Sequence, residues 1–105
     1  MTLAAALALA VQAEPALHPN LQPLAFLVGS CWRGAFPEGR PTDTHCFTVM
    51  PGGFVRDVHI VQGAPQPYSG ETFYRWDGAR IRFDYYASDG SHSGGAVLPT
   101  AAGLG

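Results

Sequence analysis

The chain has 105 residues, 47% apolar and 13% charged, which suits one folded domain and argues against a disordered chain. Six arginines and eight acidic residues give a formal charge of −2, and no lysine is present. So few cations build no basic stripe, which excludes nucleic acid as an expected partner.

Residues 1–13, MTLAAALALAVQA, carry no charge. The apolar run from Leu3 to Val11 has the length of a signal-peptide core and is too short to span a bilayer. Ala13 supplies the small residue at a cleavage site, although no Lys or Arg precedes the run. The expectation is a signal peptide over 1–13 and an exported chain, periplasmic or secreted. A frayed apolar N-terminus is the alternative. A linker follows over 14–23, then a β domain over 24–98 and a small-residue tail over 99–105.

Pro15 and Pro19 forbid a continuous helix. Asn20 is expected to cap one helical turn over Leu21–Phe26, with Pro23 in its first turn and Gly29 ending it. Leu24, Phe26, Leu27 and Val28 are expected to plug one end of the core.

Six strand candidates follow, at about 30–36, 43–50, 54–62, 70–76, 80–88 and 91–98. Their joints are PEGRPT, PGG, GAPQPYSG, DGA and SDGS, and turn residues at this spacing predict an antiparallel meander. Centring the first hairpin on Glu38-Gly39 sets Cys31 opposite Cys46 and Trp32 opposite His45. Centring the second on Pro51-Gly52 sets Val49 opposite Phe54, Phe47 opposite Arg56 and His45 opposite Val58. A turn at Asp77-Gly78 puts Tyr74 and Trp76 on one face with Ile81, Phe83 and Tyr85. A turn at Asp89-Gly90 sets Phe83 opposite Ala96.

One face then collects Trp32, Phe36, Phe47, Val49, Phe54, Val58, Ile60, Tyr74, Trp76, Ile81, Phe83, Tyr85, Ala96 and Leu98. The other collects Arg33, Thr44, Thr48, Asp57, His59, Glu71, Arg75, Arg82, Asp84, Ser88 and Ser91. A sheet with one dry face must be covered or must curl, and no helix long enough to cover it follows residue 29. The expected fold is therefore all-β, an up-and-down meander forming a small barrel, complete or incomplete, with a short N-terminal helical turn.

Several of these residues resemble a known family. LAFLVGSCWRG at 24–34, with its Gly-x-x-Trp-Arg-Gly first strand, looks like the opening of bacterial lipocalin-like proteins of the calycin type. Gly-Glu-Thr-x-Tyr at Gly70–Tyr74, Tyr85-Tyr86 and Ser88-Asp89-Gly90 are similar to later strands in a secreted branch of that group. Ser30-Cys31 places two residues between Gly and Trp where the family places one. Such barrels have eight to ten strands, so six imply a truncated copy or closure by dimerisation, and truncation is the preferred expectation. The resemblance implies a barrel, a small apolar ligand and no assigned catalytic residues.

Cys31 and Cys46, facing each other on the outer side, lie within disulfide reach. Oxidation is expected in an exported chain, and a metal role is not, since zinc sites need closer or additional Cys/His pairs.

Arg56 falls on the apolar face in this register. Its partner there is a ligand anion or an internal carboxylate, Asp43 or Glu71, unless a bulge turns it outward. Asp43-Thr44-His45 and Asp57-Val58-His59 repeat an Asp-x-His pattern, which period two places on one face of each strand. With His45 inside and His59 outside, the two pairs do not converge on one ion. His92 is placed at the barrel rim, where an analogy with haem-binding calycins would make it an axial ligand.

Gly-x-Ser-x-Gly, His-Glu-x-x-His and phosphate-loop motifs are absent from the sequence. The expectation is a non-enzymatic binder without a cofactor or metal. Its ligand site would be lined by Trp32, His45, Phe47, Arg56, Tyr74, Trp76 and Tyr85, holding a small apolar or amphipathic molecule. The alternative is a structural or interaction module with a packed core and an exposed edge strand, able to form a homodimer, or a truncated gene copy.

Overall fold

A computed structural model describes residues 15–37, 41–100 and 103–104. The expected signal peptide and the Glu38-Gly39 turn lie outside the described residues.

Pro19–Leu27 form a 3-10 helix of nine residues. Pro19 and Pro23 lack the amide hydrogen a regular helix would use, and three residues per turn align Leu21, Leu24 and Leu27 along one stripe. Leu21 and Leu24 are fully buried and Leu27 packs beside them. The cap is His18, not Asn20: His18 Nδ1 accepts the Asn20 amide at 3.0 Å. Gly29 takes a φ of +82°, open to glycine at no steric cost, and its amide donates to the Phe47 carbonyl at 2.9 Å. The segment thus plugs one end of the core as expected, except that Phe26 is exposed and meets Trp32 edge-on.

The sheet contains β1 (Cys31–Ala35), β2 (Thr42–Val49), β3 (Val55–Gln62), β4 (Tyr68–Trp76), β5 (Ile81–Ala87) and β6 (His92–Val97). Every strand pairs antiparallel with its sequence neighbour, in the order β1 to β6. β1 and β6 do not pair, so the sheet stays open and gives the incomplete form of the expected meander. A separate two-residue ladder pairs β7 (Pro99–Thr100) with β8 (Gly103–Leu104).

The first hairpin has the predicted register, with Cys31 opposite Cys46 and Trp32 opposite His45, and a disulfide joins the cysteines. The second hairpin is shifted by one residue. Val49 faces Val55, Phe47 faces Asp57 and His45 faces His59. The cause is a loop of three residues rather than two. The Met50 amide donates to the Phe54 carbonyl at 2.8 Å and Gly53 donates to Met50 at 2.9 Å, with Gly52 and Gly53 at φ +93° and +84°. A slip of one moves every β3 side chain to the other face. Val55, Asp57 and His59 are buried, while Ile60 is half exposed.

The β5–β6 hairpin repeats this. Ala87 donates to Ser91 at 2.9 Å around Ser88-Asp89-Gly90, with Gly90 at φ +87°. Phe83 therefore faces Gly95, not Ala96, and Val97 rather than Leu98 is buried. At the β4–β5 joint a four-residue loop, closed by Asp77 bonds to Ala79 and Arg80, shifts the register by two. That keeps the faces, so Tyr74 and Phe83 pair and Trp76 pairs with Ile81 as one apolar side.

Leu21, Leu24, Phe47, Val55, Ile81 and Val97 form the core between the 3-10 helix and the inner face. Every residue of β1 is exposed.

Candidate functional site

The slip of β3 brings both Asp-x-His pairs onto the inner face. His45 and His59 sit directly opposite, and their rings stack at 4.7 Å. His45 Nε2 meets Asp43 Oδ2 at 3.0 Å and its Nδ1 meets Asp57 Oδ2 at 2.7 Å. His59 Nδ1 meets Asp43 Oδ1 at 2.9 Å, and its Nε2 meets the Tyr85 hydroxyl at 2.8 Å. Tyr85 continues to the Tyr68 hydroxyl at 2.9 Å.

The protonation states follow from this geometry. An ionised carboxylate only accepts, so two carboxylates on His45 favour its doubly protonated form. Burial pulls the His45 pKa down, but the bond and charge of Asp57, then those of Asp43, outweigh it and leave it raised. Burial also works upward on Asp43, yet its bonds to His59 and His45 hold it below the usual carboxylate range. For Asp57 burial prevails and the carboxyl is raised despite His45. Tyr85 is raised by burial and by its bond to Tyr68. Asp57 has a side chain only 4% exposed, and its Oδ1 has no hydrogen-bond partner among the described residues.

Above this network lies a groove of about 520 Å³, lined by Trp32, Arg33, Asp43, His45, Phe47, Asp57 and Tyr74 together with Leu27 and Gly34. Trp32 leans against the helix end, its indole N–H donating to the Leu27 carbonyl at 3.2 Å. Of the residues the sequence placed in a ligand site, Trp32, His45, Phe47 and Tyr74 meet here. Tyr85 shares the face but does not line the groove, to which His59 and then Asp43 connect it. Trp76 packs against the core instead of lining the groove.

Arg56 is a correction. It sits on the opposite face and pairs with Glu71 at 2.6 Å, both side chains 41% exposed. The partner is one of those expected, but the one-residue slip removes Arg56 from any inner ligand. His92 is likewise on the outer face, stacked on Tyr86 and 53% exposed, and not at a rim over the groove. Asp57 and His59 were read as a pair but placed on the outer face, and Tyr68 was not singled out. The repeated Asp-x-His was the available signal, and the assumed two-residue turn hid it.

Gly70 is the close neighbour that lets Tyr85 reach His59. A Cβ at Gly70 would stand 2.6 Å from both the Tyr85 hydroxyl and a ring carbon. Gly70→Ala is expected to displace Tyr85, cost about 1–3 kcal/mol and shift the His59 imidazole resonance. Gly34→Ala, where a Cβ meets nothing within 4 Å, serves as the control and should stay within about 0.5 kcal/mol of wild type in urea denaturation.

No protein-family model, curated protein or solved structure matches this chain.

Proposed function

We propose that the protein is an exported, non-enzymatic, lipocalin-like binder that holds a small apolar or amphipathic ligand on the inner face of its open sheet. The groove is the observation that carries this reading. Its volume of about 520 Å³ falls within the range of about 300–1,000 Å³ used by small-molecule sites. Leu27, Trp32, Phe47 and Tyr74 offer apolar surface, while His45 and Asp57 offer polar contacts for a headgroup. The disulfide fits an oxidising compartment, periplasmic or extracellular, and no helix among the described residues is long and apolar enough to cross a membrane.

The chain has two tryptophans, and Trp32 lines the groove whereas Trp76 does not. Titration with a medium-chain fatty acid should therefore change Trp32 fluorescence, and Trp32→Phe should abolish the response. Arg56→Ala should leave the affinity unchanged, because its ion pair lies on the other face. A response that persists in Trp32→Phe, or none from a panel of fatty acids and amphiphilic amines, would refute the groove as a ligand site.

A second reading rests on the open sheet. β1 and β6 each have a neighbour on one side only, so either edge could add a strand from a partner or from a second copy. Native mass spectrometry separates the two: a co-purifying small molecule supports the binder, and a ligand-free dimer supports strand addition.

A further inference from the structure

The geometry points to a site for one first-row divalent cation of the zinc class, held by Asp43, His45 Nε2 and His59 Nδ1. This inference stands apart from the ligand reading, since it concerns the protein and the ion alone.

The first argument is convergence. Asp43 reaches His45 Nε2 through Oδ2 at 3.0 Å and His59 Nδ1 through Oδ1 at 2.9 Å. One ligand atom from each of the three residues fits within a mutual distance of 4.8 Å. Two donors bound to one ion at about 2.0–2.1 Å stand about 2.9–3.4 Å apart at ordinary coordination angles. The two Asp43–histidine spacings already fall in that range, so a cation would take the place of the protons between them while the two imidazoles close on it. Two imidazoles and a carboxylate are a borderline donor set that suits zinc and its first-row neighbours over calcium or magnesium.

The second argument is the support behind each ligand. Metal-bound histidines use their other ring nitrogen on a carboxylate, carbonyl or hydroxyl that fixes the ring. Both histidines have such a partner on the nitrogen that faces away from Asp43. His45 Nδ1 is held by Asp57, and His59 Nε2 by Tyr85, which Tyr68 steadies in turn.

The third argument is the uncompensated charge behind the ligand trio. Asp57 Oδ1 is buried and without a hydrogen-bond partner among the described residues. An unsatisfied buried carboxylate is costly, and a cation on His45 Nε2 would add positive charge to the ring that Asp57 holds at Nδ1, offsetting part of that cost. Two of the three ligands, Asp43 and His45, line the groove, so a fourth coordination position would open toward it. That is the pattern of sites that bind water or an anionic group, not of closed structural sites. The cysteines are joined in a disulfide and do not compete.

Zinc binding to the oxidised full-length chain tests this by calorimetry and by metal content after dialysis. The expected result is one zinc per chain. Asp43→Asn and His59→Gln should abolish binding, and Asp57→Asn should weaken it about 10–100-fold as a supporting residue. His18→Ala and His92→Ala should bind as wild type does. Histidine NMR of the wild type gives a readout that does not depend on any variant folding. Zinc should shift the His45 and His59 imidazole resonances and leave those of His18 and His92 in place. Absence of bound zinc, loss of it in His18→Ala or His92→Ala, or unmoved His45 and His59 resonances at saturating zinc would each overturn the site.

Discussion

Leu24→Ala is expected to lower stability by about 2–5 kcal/mol, read as a fall in the urea midpoint without a change in slope. Leu24 is 1% exposed and belongs to a core of six buried apolar residues among those described. The cost combines lost burial with a cavity that the surroundings refill poorly. Two prolines stiffen the 3-10 helix around it, and the fully buried Leu21 and Val55 leave little slack on either side. Folded domains are stable by about 5–15 kcal/mol, so one truncation here removes a large share. Phe26→Ala, two residues along the same helix but 62% exposed, should cost far less. An equal loss at both positions would show that the helix is not held by its leucine stripe.

Cys31→Ser together with Cys46→Ser is the second large effect. The bridge closes a loop with a sequence separation of 15, for which chain entropy gives on the order of 3 kcal/mol. The expected loss has a local component as well. β1 is an edge strand whose residues are all exposed, so little apolar burial holds it to β2. Without the bridge it should fray before the rest of the sheet, with early loss of amide protection at Trp32 and Arg33. Trp32 forms one wall of the groove, so reduction should weaken ligand binding under conditions where the sheet remains folded. Intact mass with and without reductant verifies the bond, and hydrogen exchange locates the fraying. Uniform loss of protection across β1 to β6 would contradict a local role.

The meander, the strand positions, the disulfide pair and the apolar faces of β1, β2, β4 and β5 were legible from turn residues and alternation. Register across three joints was not, and at two of them the shift was odd and turned a strand over. Pro-Gly-Gly and Ser-Asp-Gly each fit a two-residue or a three-residue turn, and the flanking strands did not arbitrate. In β3 both parities carry aliphatics, Val55 and Val61 on one and Val58 and Ile60 on the other. Apolar alternation therefore left open whether Arg56 or the Asp57–His59 pair faced inward. The β4–β5 loop was also longer than expected, but its shift was even and left Tyr74 and Trp76 where alternation put them. Half of the groove was thus visible in advance. The charged half depended on hydrogen bonds that close only once Gly53 adopts its left-handed conformation.

That dependence makes chain length at Pro51–Gly53 a determinant of chemistry. Deleting a single glycine there would rotate the third strand by half a turn without altering any of its side chains. Arg56 would be turned beneath the leucines, and both members of the Asp57–His59 pair would be surrendered to bulk water. Variants of this sequence could therefore keep every polar residue intact and still lose the site through a one-codon gap in a solvent-facing turn.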